Sequence, residues 1–160
     1  MTGVPLAALA EASGPRGRLL ALDLGTRTIG LATGTMEMGL PTPLRTIQRT
    51  KFTADADALA RLIASERIAG LVLGLPINMD GTEGPRAQST RSFALNLARF
   101  LDARGLLLPL SFVDERLSSV AAEDEMTAAG LSRRRQKQHV DAAAAAEILA
   151  RALREMRAGS

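Results

Sequence analysis

The chain has no cysteine, no tryptophan and no tyrosine, and one histidine, His139, in 160 residues. Without cysteine, disulfides, thiolate zinc sites and thiol catalysis are excluded. A lone histidine argues against a His-based catalytic pair or a multi-His metal centre. A metal site would have to be assembled from carboxylates, which favour hard cations such as magnesium or manganese. The only aromatics are Phe52, Phe93, Phe100 and Phe112, so base stacking on an aromatic platform has little support. No apolar run approaches the length that spans a bilayer. Residues 1–17 are Ala-rich, carry no basic n-region and are interrupted by Pro5 and Glu11. They read as a flexible extension rather than a signal peptide, and the expectation is a cytoplasmic protein with no membrane partner.

What is present suits one compact domain, placed at residues 18–157. The hydrophobic share, 46%, excludes wholesale disorder, and its alanine content favours helices. Net charge is only +3, so the distribution matters more than the sum. The dense run Arg133-Arg134-Arg135-Gln136-Lys137 reads either as a phosphate-contacting segment or as a solvated loop.

The apolar pattern predicts strands over Arg18–Leu24, Thr28–Thr33 and Pro41–Gln48, joined by short links as an antiparallel meander. A helix over Thr53–Arg67 follows, with Thr53 as a possible cap and Leu59, Leu62 and Ile63 on one face. Ala69–Leu75 reads as a central strand, and a polar loop leads to a helix that opens at Pro85 and ends by Gly105. Leu106–Val113 reads as another buried strand. An acidic helix capped by Ser118 or Ser119 and ending at Gly130, the basic loop, and a last helix over Val140–Met156 complete the chain. Apolar strands alternating with helices imply an α/β architecture, with chemistry at the carboxyl ends of the central strands.

Asp23 ends an apolar run, an awkward place for a charge unless it is paired or holds a metal. It is followed by Gly25, Thr26 and Arg27 and then by a second apolar run. Glu115 lies just past the last strand, and Asp141 lies near the start of the final helix, before an all-alanine stretch from Ala142 to Ala146. If the strands are parallel, Asp23 and Glu115 share one sheet edge. Taken singly, Asp23 could cap its turn, Glu115 could pair with an arginine, and Asp141 could complement a helix dipole. Taken together, three converging acids would repel one another, and a divalent cation resolves that conflict.

The segments Ala21-Leu22-Asp23-Leu24-Gly25-Thr26-Arg27-Thr28-Ile29-Gly30-Leu31-Ala32, Gly74-Leu75-Pro76-Ile77-Asn78-Met79-Asp80-Gly81-Thr82-Glu83-Gly84-Pro85-Arg86-Ala87, Val113-Asp114-Glu115-Arg116-Leu117-Ser118-Ser119 and Val140-Asp141 to Leu149 stand in an order that resembles the YqgF/RuvX family. These are the pre-16S ribosomal RNA nucleases, also described as Holliday-junction-resolvase-like. The resemblance covers nearly everything from Arg18 to about Arg154. It implies a ribonuclease-H-like fold, an α/β domain with a mixed five-stranded sheet of three antiparallel strands and then two parallel ones, flanked by helices. It implies metal-dependent nuclease activity, with Asp23, Glu115 and Asp141 as catalytic and Mg2+- or Mn2+-binding triad.

On that footing the expected substrate is structured RNA, the 5′ end of pre-16S rRNA in ribosome biogenesis. Arg27, Arg116, Arg133, Arg134, Arg135 and Lys137 would contact nucleic acid, and Asn78 and Asp80 would shape a substrate groove. The alternative is a resolvase acting on branched DNA, so monomer and homodimer both stay open. Two further readings are an actin-like ATP-binding domain, suggested by Asp23-Leu24-Gly25-Thr26, and a non-catalytic RNA-binding assembly factor. The former needs two such domains, and 160 residues have room for one.

Overall fold

The computed structural model describes residues 3–115 and 133–159, the side chains of 133–141 excepted. Helix α1 (Leu6–Ser13) precedes strands β1 (Arg18–Leu24), β2 (Thr28–Gly34) and β3 (Thr42–Gln48). Helix α2 (Phe52–Ser65), strand β4 (Ile68–Leu75), helix α3 (Pro85–Asp102), strand β5 (Leu110–Asp114) and helix α4 (Arg133–Ala158) follow. The sheet order is β3-β2-β1-β4-β5. β1 pairs antiparallel with β2 and β2 with β3, whereas β4 runs parallel to both β1 and β5. This is the mixed five-stranded sheet expected.

Both faces of the central strands are covered, which is why β1 and β4 read as continuous apolar runs. Alternation divides their side chains between two cores. Leu20, Leu22, Leu24, Leu71 and Leu73 pack with Leu59, Ile63, Phe93 and Leu97 of α2 and α3. Leu19, Ala21, Val72 and Val113 pack with Ala145, Ile148, Leu149 and Ala152 of α4. Each fully buried leucine contributes about 1.5–3 kcal/mol. The alanines let α4 lie close against the sheet. Asp23 follows Leu19 and Ala21 in the alternation, so it belongs to the α4 face.

The structure corrects four expectations. Residues 3–17 do not behave as a bare extension. Leu9 of α1 is fully buried against the α4-side core, and the Val4 amide donates to the Leu110 carbonyl at 2.7 Å. The start of α2 is not capped by Thr53, which lies inside the helix; instead Asp55 accepts from the Thr50 amide at 3.1 Å. β5 begins at Leu110 rather than Leu106, because Pro109 has no amide hydrogen to donate to a ladder. Its carbonyl still accepts from Leu71 N at 2.9 Å.

The fourth correction concerns the basic run. It is helical, not a loop: α4 starts at Arg133, seven residues before the expected start at Val140. Arginine, glutamine and lysine are good helix formers, and no glycine or proline separates Arg133 from Val140. Asp141 therefore sits in the third turn of α4. The acidic helix expected between Ser118 and Gly130 lies outside the described residues.

Candidate active site

Parallel pairing brings the carboxyl ends of β1, β4 and β5 to one edge. The β1–β4 register runs to Leu22 beside Leu73, which sets Asp23 level with Gly74. The β4–β5 register pairs Gly74 with Val113 and Leu75 with Asp114. The Glu115 amide extends that ladder by donating to the Leu75 carbonyl at 3.3 Å. Asp23 and Glu115 thus flank Gly74 on the α4 side of the sheet. Their carboxyl groups meet there, each within electrostatic reach of the other.

Gly74 makes this meeting possible. A Cβ at that position would stand 2.5 Å from Glu115 Oε2 and would also strike Ile148. The residue before Glu115 is held by α4, where Arg151 Nη1 donates to the Asp114 carbonyl at 2.6 Å. Position 74 and Arg151 were not singled out in the sequence. A glycine carries no chemistry to notice, and a contact between residues 37 apart leaves no local pattern.

The electrostatics of the pair are strained. Asp23 is only 9% exposed. Glu115 Oε2 is buried with no hydrogen-bond partner among the described residues. Burial, then the Asp23 carboxylate beside it, push the Glu115 carboxyl up to about 9, against a smaller lowering by the Arg86 guanidinium. Two carboxyls sharing a site with an orphaned oxygen are, among the described residues, a donor set suited to added positive charge.

Asp141 lies on α4, four residues before Ala145 and seven before Ile148, so its Cα falls on the helical row whose later members are buried against the sheet. Its side chain is outside the described residues. Among the described residues no three acidic or histidine side chains gather closely enough to hold a metal ion. Arg116 is also outside the described residues, as are the side chains of Arg133, Arg134, Arg135 and Lys137, which occupy the first turns of α4.

Arg27 is exposed in the β1–β2 turn at the same sheet edge. Arg49 locks this turn. Its amide donates to the Arg27 carbonyl at 2.8 Å, and its Nη1 donates to the Gly25 carbonyl at 2.6 Å. Asn78 and Asp80 are turned into their own loop. Asn78 Nδ2 donates to Thr82 Oγ1 at 3.0 Å, and Asp80 accepts from the Thr82 amide at 2.9 Å and from its hydroxyl at 2.6 Å. Those bonds hold the Asp80 carboxyl below the usual range. Glu83 closes the loop onto α3 through two bonds from Arg91, at 2.6 and 2.8 Å.

A family model described as "RuvX: Holliday junction resolvase" matches residues 17–155. The chain belongs to that family. RuvX relatives include proteins named "Putative pre-16S rRNA nuclease". The one from Rhodobacter capsulatus is 55% identical over 137 residues, covering 86% of this chain and 83% of that protein. One from Paracoccus denitrificans is 51% identical over 148 residues, covering 92% and 90%. Among solved structures, Thermus thermophilus RuvC in complex with a Holliday junction substrate is similar in fold. It has a TM-score of 0.55 at 15% identity and covers 90% of this chain and 97% of that one. A second T. thermophilus RuvC structure gives 0.52 at 11% identity. The RuvX fold is thus the ribonuclease-H-like fold expected, and the family names mark it as a nuclease family. Among the described residues no helix is long and apolar enough to cross a membrane.

Proposed function

We propose that this RuvX-family chain is a divalent-metal-dependent nuclease that hydrolyses phosphodiester bonds in structured RNA, at the 5′ end of pre-16S rRNA. The observation that carries the reading is the buried Asp23–Glu115 pair, with Glu115 Oε2 left without a partner among the described residues. This donor set fits a hard cation: all oxygen, negatively charged and short of compensation. Asp23 and Glu115 would hold it, with Asp141 supplied by α4. When bound, Mg2+ or Mn2+ supplies charge neutralisation and Lewis acidity for in-line attack by water.

The chain's own residues do the rest. Gly74 leaves the space in which the two carboxylates converge. Arg151 keeps the end of β5, and so Glu115, in register. Arg27 and Arg116, with Arg133, Arg134, Arg135 and Lys137, bind the phosphate backbone, and the loop bearing Asn78 and Asp80 borders the groove. A ribosomal precursor as substrate puts the protein in the cytoplasm.

The test is cleavage of a pre-16S 5′ RNA by purified Asp23→Asn and Asp141→Asn with magnesium or manganese. Loss in both supports the triad, and unchanged activity in either removes it. A second reading, a resolvase acting on branched DNA as a homodimer, is favoured by the likeness to RuvC. Faster cleavage of a four-way DNA junction than of the RNA, by a species that sediments as a dimer, would prefer it.

A further inference from the structure

At the same sheet edge as the carboxylate pair, but on the α3 side of the β1 end, lies a cavity of about 80 Å3 lined by Thr26, Arg49, Arg86, Ser89, Thr90 and Phe93. Leu24 and Gly25, which directly follow Asp23, complete its wall. The polar side chains lining it are two guanidiniums and three hydroxyls, with no carboxylate among them. Among the described residues Arg49 is held in place by neutral groups, the Gly25 carbonyl at 2.6 Å and the Phe93 ring at 5.4 Å. Its charge is therefore oriented but not neutralised. Arg86, at the second position of α3, makes no ion pair among the described residues. The same first turn of α3 presents amides that an α-helix leaves without internal partners.

We propose that this cavity seats one backbone phosphate of the bound nucleic acid, next along the strand from the phosphodiester that is cut. The argument is chemical. A small recess lined by hydroxyls and fixed positive charge, with no carboxylate, selects an anion. Leu24 and Gly25 in its wall directly follow Asp23, so the phosphate seated there and the linkage at the carboxylates belong to one strand. Phosphate contacts carry no base preference, so the pocket sets register and not sequence. It fixes which linkage lies over Asp23 and Glu115. The inference rests on the nuclease reading, which it deepens.

The test uses the full-length Asp23→Asn protein, so that RNA is bound without being cut, and a fluorescent stem-loop RNA as probe. Adding Arg86→Ala should weaken binding about tenfold and lower the slope of log Kd against log salt by about 1. Ser89→Asp, which sets a like charge in the pocket, should weaken binding as well, and circular dichroism checks that both variants fold. A scan with uncharged 2′-O-methyl methylphosphonate linkages adds a readout that a merely structural role would not move. One linkage beside the scissile one should weaken binding to the Asp23→Asn protein and have no effect once Arg86 is replaced. An unchanged salt slope, or the same linkage sensitivity with and without Arg86, overturns the pocket. Cleavage by the Asp23→Asn protein would overturn the catalytic reading instead, and the binding result would stand apart from it.

Discussion

Glu115 Oε2 lies so close to Gly74 that even a methyl group on that residue would stand 2.5 Å from it. One missing side chain on β4 lets an acid just past β5 reach an acid from β1. Gly74→Ala should therefore drive Glu115 out of place and press on Ile148. Overpacking of this kind costs about 1–3 kcal/mol, visible as a lowered Tm. The catalytic loss should be larger than the stability loss suggests, about 100-fold for a displacement near 1 Å. Cleavage measured well below the variant's Tm separates the two. Full activity would show that the Glu115 position is not needed.

Arg151 reaches from α4 to the Asp114 carbonyl at 2.6 Å. Arg151→Met keeps much of the side-chain bulk and removes the charge-assisted bond, which should cost about 1.5–3 kcal/mol in urea unfolding. Because Asp114 precedes Glu115, the cleavage rate should fall while RNA affinity holds. Arg151→Lys should recover part of the rate. An equal fall in affinity and rate would mean that Arg151 contacts RNA rather than positioning Glu115.

Leu9 is fully buried between α4 and the sheet, and a Cβ on Gly70 would stand 2.5 Å from its Cδ1. Leu9→Ala should then destabilise the whole domain by about 2–5 kcal/mol, as a core truncation does. Met38→Ala, at a residue 71% exposed, should stay within about 0.5 kcal/mol. Equal, small effects from both would return α1 to the status of a loose appendage.

The sheet was legible because its central strands are buried on both faces, so Leu19–Leu24 and Ile68–Leu75 stand out without any partner in view. Asp23 was legible for the same reason: it is a charge where the pattern asks for an apolar residue. What failed to show depends on groups far apart in the chain or on missing atoms. Gly74 acts through empty space, and Arg86 reaches the cavity at the β1 end because α3 starts beside it. Leu9 is the only buried residue of an eight-residue helix, too little for a periodic signal. The basic run was read by its charge, whereas its backbone preference is helical, and so α4 begins earlier than expected. β5 was drawn too long because Leu106 and Leu108 are apolar and packed against the core, although Pro109 interrupts the ladder.

The Asp23–Glu115 pair also sets how stability depends on pH. Folding raises the Glu115 carboxyl from its ordinary 4.5 to about 9, chiefly by burial and then by the neighbouring Asp23 carboxylate. A carboxyl raised in the folded state favours the native protein most fully below the unfolded value. That contribution fades as pH climbs from about 4.5 toward 9. In the presence of a chelator, Tm should therefore decline across this window, and Glu115→Gln should flatten the decline because it cannot ionise. Magnesium or manganese should reverse the trend in the unsubstituted protein, since a cation binds the deprotonated pair and stabilises the native state by mass action. The gain should grow with pH and should vanish in Asp23→Asn. Differential scanning fluorimetry at several pH values, with chelator and with each metal, reads all of these. A metal-induced rise in Tm that is the same at pH 5 and pH 9, or that survives in Asp23→Asn, would place the ion elsewhere.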